Sequence, residues 1–389
     1  MKVLASLLAA LSILFGAAVL AYADVIDLPG NWRTKLGFQD EPPNPPCRLG
    51  LYRESPDAPR PGPGKWRFEP EAPKGPVEGS AIAIDPIIYV TNGSSPGNLH
   101  GFLAFDTRTG RWSEPTHTPI GLNHSQAAAY EGDLYLAGGY LDGDEATDRF
   151  WRYDPETKEW TELPPMSLAR GAAGTAVVGD KLYVAGGAPN TFGVTAEGSP
   201  YATLEIYDFK TGEWSRGPDM PTPRHHLVAA GLGGKLYVVG GRSGLLDTNN
   251  DVPPTGEFDR YDPETEEWDR LPELPFPASY PGIATAAGKI VVIGGEDQTR
   301  WEDGGGWVTP AAWAFDPKPG RWQRLPDLNV ERRGMGAASV GGRVYVLTGS
   351  PCPGIRANGP TPTRTVESLP VSAVRGADEP MGAASKGPA

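Results

Sequence analysis

The sequence predicts an all-β fold, a six-bladed β-propeller with four antiparallel strands per blade, and two repeated phrases carry that prediction. The first phrase sets an aromatic-Asp pair ahead of a Trp: FDTRTGRW at 105–112, YDPETKEW at 153–160, YDFKTGEW at 207–214, YDPETEEW at 261–268 and FDPKPGRW at 315–322, with successive starts 48, 54, 54 and 54 residues apart. The second is a β-branched, apolar run closing on two small residues: LYLAGG at 134–139, LYVAGG at 182–187, LYVVGG at 236–241 and IVVIGG at 290–295, with weaker copies IYVTNG at 88–93 and VYVLTG at 344–349. A repeat near 50 residues, built from strand-like and turn-rich units, marks a radial array of sheets. The 51 glycines and 42 prolines among 389 residues suit many tight turns better than long helices.

The chain divides in order. Residues 1–23 read as a secretory signal peptide, with Lys2, an apolar stretch over 3–21 and the small-residue exit Ala21-Tyr22-Ala23 before Asp24. The competing reading is an uncleaved N-terminal membrane anchor, because about 20 apolar residues also span a bilayer. Residues 24–63 form a Pro-rich N-terminal extension, residues 64–370 the propeller, and residues 371–389 a disordered tail. Within each repeat four strands run from the axis outward, in the third copy 172–178, 181–185, 203–207 and 213–216. The innermost strands are rich in Ala, Gly and Ser (SQAAAY, AAGTAV, LVAAGL, GIATAA, MGAASV), as strands converging on an axis require. The larger Tyr and Trp side chains fall farther out, where diverging sheets leave area to bury.

The sixth copy lacks its Trp phrase, and Gly64-Lys65-Trp66-Arg67-Phe68 supplies one at the other end of the chain. The last blade is therefore expected to take three strands from the C-terminus and one from the N-terminus, pairing 66–68 with 365–369, a join that removes open sheet edges. Cys47 and Cys352, the two cysteines, both map near that seam. In an exported chain they are expected to form a disulfide, worth about 4 to 5 kcal/mol by loop-closure entropy.

The paired glycines followed by a spaced Tyr and Trp resemble the kelch repeat, over roughly residues 65–370. The resemblance implies the propeller fold and little about chemistry, because the scaffold carries enzymes, adaptors and sugar-handling proteins alike. It is similar at fold level to the galactose oxidase propeller and to exported six-bladed sialic-acid mutarotases. Copper chemistry of the first kind is not expected, since neither Cys stands beside a candidate Tyr in a repeat strand. The second implies an alternative, a cofactor-independent sugar mutarotase or isomerase working by acid-base groups.

Connections between second and third strands share a face with those between blades, and they are long and dissimilar at 188–202, 242–256 and 296–311, while opposite turns such as Asp154-Pro155-Glu156-Thr157 are short and uniform. Recognition is expected on the loop-rich face. Fourteen residues before each paired-small motif stand Glu78, His124, Ala172, His226, Tyr280 and Gly334, one per blade. Equivalent positions of a ring surround its axis, so these side chains, with neighbours Asn123, Arg170, Arg224, His225, Arg332 and Arg333, are the candidate ligand-binding residues for a small polar or anionic molecule. Two other readings compete: hydrogen bonding within the scaffold, with Arg170 and Arg224 tied to Glu205 and Asp259, and a metal site from Glu78, His124 and His226, which no local ligand spacing supports.

The acidic run Asp247 to Asp251 begins like a calcium loop, but Val252-Pro253-Pro254 replaces the glycine turn and Phe258 the closing glutamate, so it reads as solvated, as do Asp142, Asp144, Glu145 and Asp148. Removing residues 1–23 takes one cation and leaves a net charge of −14, which repels nucleic acid and anionic membranes. The expectation is an exported, monomeric binding protein for a polar ligand, carbohydrate included, or a protein partner, without cofactor, metal or catalytic residue. A role as a ubiquitin-ligase adaptor is disfavoured by the signal segment.

Overall fold

The computed structural model describes residues 62, 64–91, 93, 100–141, 145–190, 200–244, 252–297, 307–352 and 362–375. All belong to one compact unit, Cys47–Ala389. The signal segment, most of the Pro-rich extension, Cys47, the tail region beyond 375 and the segments 142–144 and 247–251, with Asp142, Asp144, Asp247 and Asp251, lie outside the described residues.

Six four-stranded antiparallel sheets follow one another along the chain. Blade 1 comprises Ser80–Ile84, Ile87–Thr91, Phe102–Asp106 and Arg111–Ser113; blade 3 comprises Gly174–Val178, Lys181–Ala185, Leu204–Asp208 and Glu213–Gly217. Blade 6 joins Gly336–Val340, Arg343–Leu347 and Val366–Pro370 to Arg67–Glu69, with Arg67 opposite Ser368, Phe68 opposite Glu367 and Glu69 opposite Val366. The chain is thus closed by its N-terminal strand, as the orphan Trp66 required. Innermost strands begin about two residues later than the apolar pattern suggested, because the residues ahead of them are taken up by a left-handed turn described below. A short hairpin in blade 5, Glu296–Asp297 with Trp307–Val308, and a helix, Val371–Arg375, were not legible in the pattern. The helix places Val374 in the core, and buried Lys289 donates from Nζ to the Arg375 carbonyl at 3.1 Å, so order extends five residues into the region expected to be a tail.

Packing between blades rests on two recurring devices. Five of the six outer-strand Trp residues donate the indole N–H to the carbonyl of a Pro just beyond the outer strand of the preceding blade: Trp66 to Pro326 (2.8 Å), Trp112 to Pro70 (3.1 Å), Trp214 to Pro164 (2.8 Å), Trp268 to Pro218 (3.0 Å) and Trp322 to Pro272 (2.8 Å). In blade 1 the Pro follows its Trp by three residues instead of four (Pro115 after Trp112), and Trp160 Nε1 accordingly finds no acceptor among the described residues.

The second device joins the position two before each innermost turn to the third strand. In blades 3, 4 and 6 it is an Arg with an acid: Arg170 with Glu205, Arg224 with Asp259, Arg332 with Glu367. In blades 1, 2 and 5 the same two positions hold Pro76 and Leu103, Leu122 and Trp151, Ala278 and Trp313. A buried ion pair or an apolar pair satisfies the position; one half of each would leave an unpaired buried charge.

Candidate functional site

The six positions found by internal alignment, Glu78, His124, Ala172, His226, Tyr280 and Gly334, form a closed ring about the axis. Each donates its backbone N–H to the carbonyl of the one before it: Glu78 to Gly334 (2.8 Å), His124 to Glu78 (2.9 Å), Ala172 to His124 (2.8 Å), His226 to Ala172 (2.8 Å), Tyr280 to His226 (3.1 Å) and Gly334 to Tyr280 (3.0 Å). All six adopt left-handed backbone, with φ of 61°, 57°, 54°, 58°, 55° and 58°. For five residues bearing a Cβ this conformation costs about 1 to 2 kcal/mol each, and the ring of hydrogen bonds and the flanking strands hold it in place. Beneath the ring lies a chamber of about 50 Å³ lined by Glu78, His124, Ala172, Tyr280 and the starts of the innermost strands. It meets a channel of about 320 Å³ lined by those strands, and Gln126 crosses between them, donating to the Ala229 carbonyl at 2.8 Å and accepting from the Thr175 amide at 3.0 Å.

Around the ring stands a second circle, which sequence reasoning caught in part. In blades 2 to 6 the residue before the ring position pairs with the residue after the paired-small motif: Asn123 with Tyr140, Gly171 with Ala188, His225 with Arg242, Ser279 with Glu296, Arg333 with Ser350. Tyr140, Arg242 and Glu296 were missed. The available signal was the variable position immediately after each GG, which register alone places beside the mouth.

The charged groups here pair with one another. Arg333 reaches Glu78 through Nη1 and Glu296 through Nε at 3.2 Å, and Arg242 stands 3.7 Å from Glu296, giving an alternating and electrically neutral chain. Glu78, Glu296, Arg242 and Arg333 are all buried. Burial opposes the charge on Arg333, but Glu296 and Glu78 outweigh it and hold the guanidinium more firmly protonated than usual. His124 sits 3.6 Å from Glu78 through Nε2, bonds Asn123 through Nδ1, and packs edge-on against Tyr140, His226 and Tyr280 at ring separations of 5.1, 5.1 and 4.9 Å.

His225 and His226 form a tautomer relay. His225 Nε2 lies 2.9 Å from the Gly244 carbonyl, which can only accept, so that nitrogen carries the proton. In a neutral imidazole Nδ1 then holds a lone pair, and it receives the Nδ1–H of His226 across 2.5 Å. Burial, then the nearby Arg242, pushes His225 down to about 3, and burial followed by His225 itself keeps His226 well below the ordinary histidine value. Both rings are neutral at pH 7.

The remaining candidates turn away from the axis. Arg170 donates to the carbonyls of Gly186 (2.9 Å) and Thr203 (3.0 Å) and to Glu205 (2.5 Å); Arg224 to those of Gly240 and Glu257 (both 2.9 Å) and to Asp259; Arg332 to those of Thr348 (3.3 Å) and Thr365 (2.7 Å) and to Glu367. Each is fully buried, and each staples the chain entering a blade to that blade's second and third strands. Cys352 is buried, its carbonyl 3.3 Å from Arg333 Nε. Among the described residues no group of three His, Cys, Asp or Glu side chains is arranged to hold a metal ion, and no helix is long and apolar enough to cross a membrane.

The Attractin/LZTR1 beta-propeller family model matches residues 88–351. The chain is 30% identical over 308 residues to Kelch-like protein terF of Aspergillus terreus (74% of this chain, 65% of that one). It is 28% identical over 251 residues to mouse Kelch-like protein 35 (64% and 39%), and 25% identical over 233 residues to beta-scruin of Limulus polyphemus (58% and 25%). It therefore spans less than two thirds of the length of each of these relatives. The solved structure of YjhT aligns with a TM-score of 0.62 at 16% identity, covering 76% of this chain and 95% of that one, which speaks to the fold alone. From the matched repeats, the six closed blades and these relatives, the chain belongs to the kelch-repeat β-propellers of the Attractin/LZTR1 propeller family.

Proposed function

We propose that this protein is an exported kelch propeller that binds a protein partner on its loop-rich face. The observation that carries the reading is the state of the axis: the ionisable side chains Glu78, Glu296, Arg333, His225 and His226 at the mouth are buried and paired with each other, so recognition falls to the rim. Ligand pockets for small molecules run to about 300–1,000 Å³. The chamber beneath the ionisable groups is about 50 Å³, and the larger channel of about 320 Å³ is lined by no ionisable side chain among the described residues. That separation of volume from acid-base groups favours binding over a mutarotase-type reaction or capture of a carbohydrate. The kelch-like relatives are consistent with a protein partner.

Export is supported by the apolar N-terminal segment with its Ala-Tyr-Ala exit, and the proposed Cys47–Cys352 bridge follows from export. The test is capture from the fluid surrounding the producing cells with face-specific variants. Ser243→Arg and Pro253→Arg, both exposed beside the loop-rich face, should abolish capture of a specific protein that Thr109→Arg on the opposite face retains. Equal capture by all three variants, or a melting shift with sialic or uronic acids in place of any captured protein, would overturn the reading. A ligand at 100 times its Kd raises apparent stability by about 2.7 kcal/mol, so such a shift is easily seen.

A further inference from the structure

We propose that the His225–His226 pair is an acid-operated latch on the propeller mouth: protonation of His225 destroys the bond that joins the rings, protonation of His226 buries a cation without a counter-charge, and either event opens the axial ring at blade 4. The reason is proton counting. The 2.5 Å contact between the two Nδ1 atoms works only while one of them holds a lone pair, and the Gly244 carbonyl forces that one to be on His225. A proton added to His225 sets two N–H groups against each other at that distance. A proton added to His226 enters at Nε2, leaves the bond between the rings in place, and makes a buried cation that Arg242 and Arg333 oppose.

Among the described residues, the surroundings supply no counter-charge that is not already engaged. Arg242 of blade 4 and Arg333 ahead of blade 6 raise the cost of a further cation, and His124 of blade 2 adds to it. Tyr280 of blade 5 offers only its ring, 4.4 Å from His226 centroid to centroid. The acids within reach are engaged: Glu78 of blade 1 by Arg333 and His124, Glu296 of blade 5 by Arg333 and Arg242, with Asp297 facing Arg242. Relief therefore comes by separating the rings, which strains the His225–Arg242 bridge (3.0 and 2.9 Å) and the ring bonds His226 to Ala172 and Tyr280 to His226. The left-handed turn at His226, with φ of 58°, is held in place by those bonds. The consequence for partner binding rests on the docking face proposed above; the latch itself does not.

The experiment uses the full chain with ¹⁵N-labelled histidine, followed by NMR and amide hydrogen exchange from pH 8 to pH 4. At neutral pH the pair should show opposite neutral tautomers, Nε2–H for His225 and Nδ1–H for His226. On acidification, the protection factors of the His226 and Tyr280 amides, corrected for the intrinsic exchange rate at each pH, should fall by up to about a hundredfold per pH unit, the limit for uptake of two protons, while the Tyr207 amide of blade 3 stays protected. In His225→Gln the amide keeps a donor for Gly244 and an acceptor for His226 without titrating, and the slope should fall to about tenfold per unit or less. Either histidine titrating alone near its ordinary value with ring exchange flat would overturn the latch, as would an unchanged slope in His225→Gln; the wild-type titration decides even if that variant does not fold. Ring opening with partner capture unaltered would overturn the regulatory consequence, whereas capture failing at every pH would count against the docking face instead.

Discussion

Replacing Arg224 by Ala removes a fully buried guanidinium that serves two carbonyls at 2.9 Å and the buried Asp259 carboxylate. Burial drives both partners toward their neutral forms, lowering the Arg224 value and raising that of Asp259, so the pair is held by mutual compensation more than by net attraction. Breaking such a pair costs about 3 to 5 kcal/mol. Arg270, 2.7 Å from Asp259 on the other side, keeps the loss toward the lower end. At about 2 °C per kcal/mol for a domain of this size, melting should fall by about 6 to 10 °C.

Blade 5 shows the compensated alternative, Ala278 with Trp313, over which Arg324 stacks at 5.1 Å. Arg270 is the blade 4 counterpart of Arg324, facing position 259 across the strands. The double variant Arg224→Ala with Asp259→Trp should therefore recover most of the loss, to within about 2 kcal/mol of the parent, although Asp259→Trp alone should be as damaging as Arg224→Ala. Urea unfolding of the parent and three variants measures the coupling. A loss under 1 kcal/mol for Arg224→Ala, or a double variant no better than the sum of its parts, would refute the interchange of ion pair and apolar pair.

Four other outcomes are expected. Trp66→Ala should destabilise the ring by about 3 to 5 kcal/mol by thermal unfolding, and Trp66→Phe by less, about 1 kcal/mol for the lost bond to Pro326 beyond any packing change. Ala172→Gly should be neutral or stabilising because it relieves a φ of 54°, whereas Gly334→Ala should destabilise because its Cβ would meet the Glu78 amide nitrogen at 2.9 Å. Acid unfolding should begin early. The histidine pair, lowered in the folded state, contributes stability that is complete above about pH 6.5 and falls below it as the unfolded chain takes up protons, with Asp106, Asp154 and Asp208, lowered by backbone N–H donors in their turns, adding a second loss below about pH 4. Non-reducing mass spectrometry of exported protein should find Cys47 bridged to Cys352; two free thiols would end that proposal.

The fold was legible because a propeller writes the same physical demands six times. Trp66 could be assigned to blade 6 from the sequence because a fourth strand without its Trp leaves an obvious gap, and the alignment that placed Glu78, His124, His226 and Tyr280 on one ring relied on the same periodicity. What the side chains do there was not legible. Arg170, Arg224 and Arg332 lie two residues from ring positions and point into the blades, a direction set by a left-handed turn that charge and spacing do not announce. Arg242 and Glu296 escaped notice because their importance comes from facing Arg333, His225 and each other across blades, a relation that only closure of the ring creates.

The division between a self-satisfied axis and a recognising rim is tested most directly by hydrogen exchange of the full chain with and without its captured partner. Protection should appear in the segments that follow the second strands, at 138–149, 186–203, 240–257 and 294–311, and be absent from the opposite turns at 107–110, 155–158 and 263–266. Protection confined to the ring amides of His124, His226 and Tyr280, produced by a sugar or another small polar molecule in place of a protein, would contradict it and return the axis to the role of a ligand site.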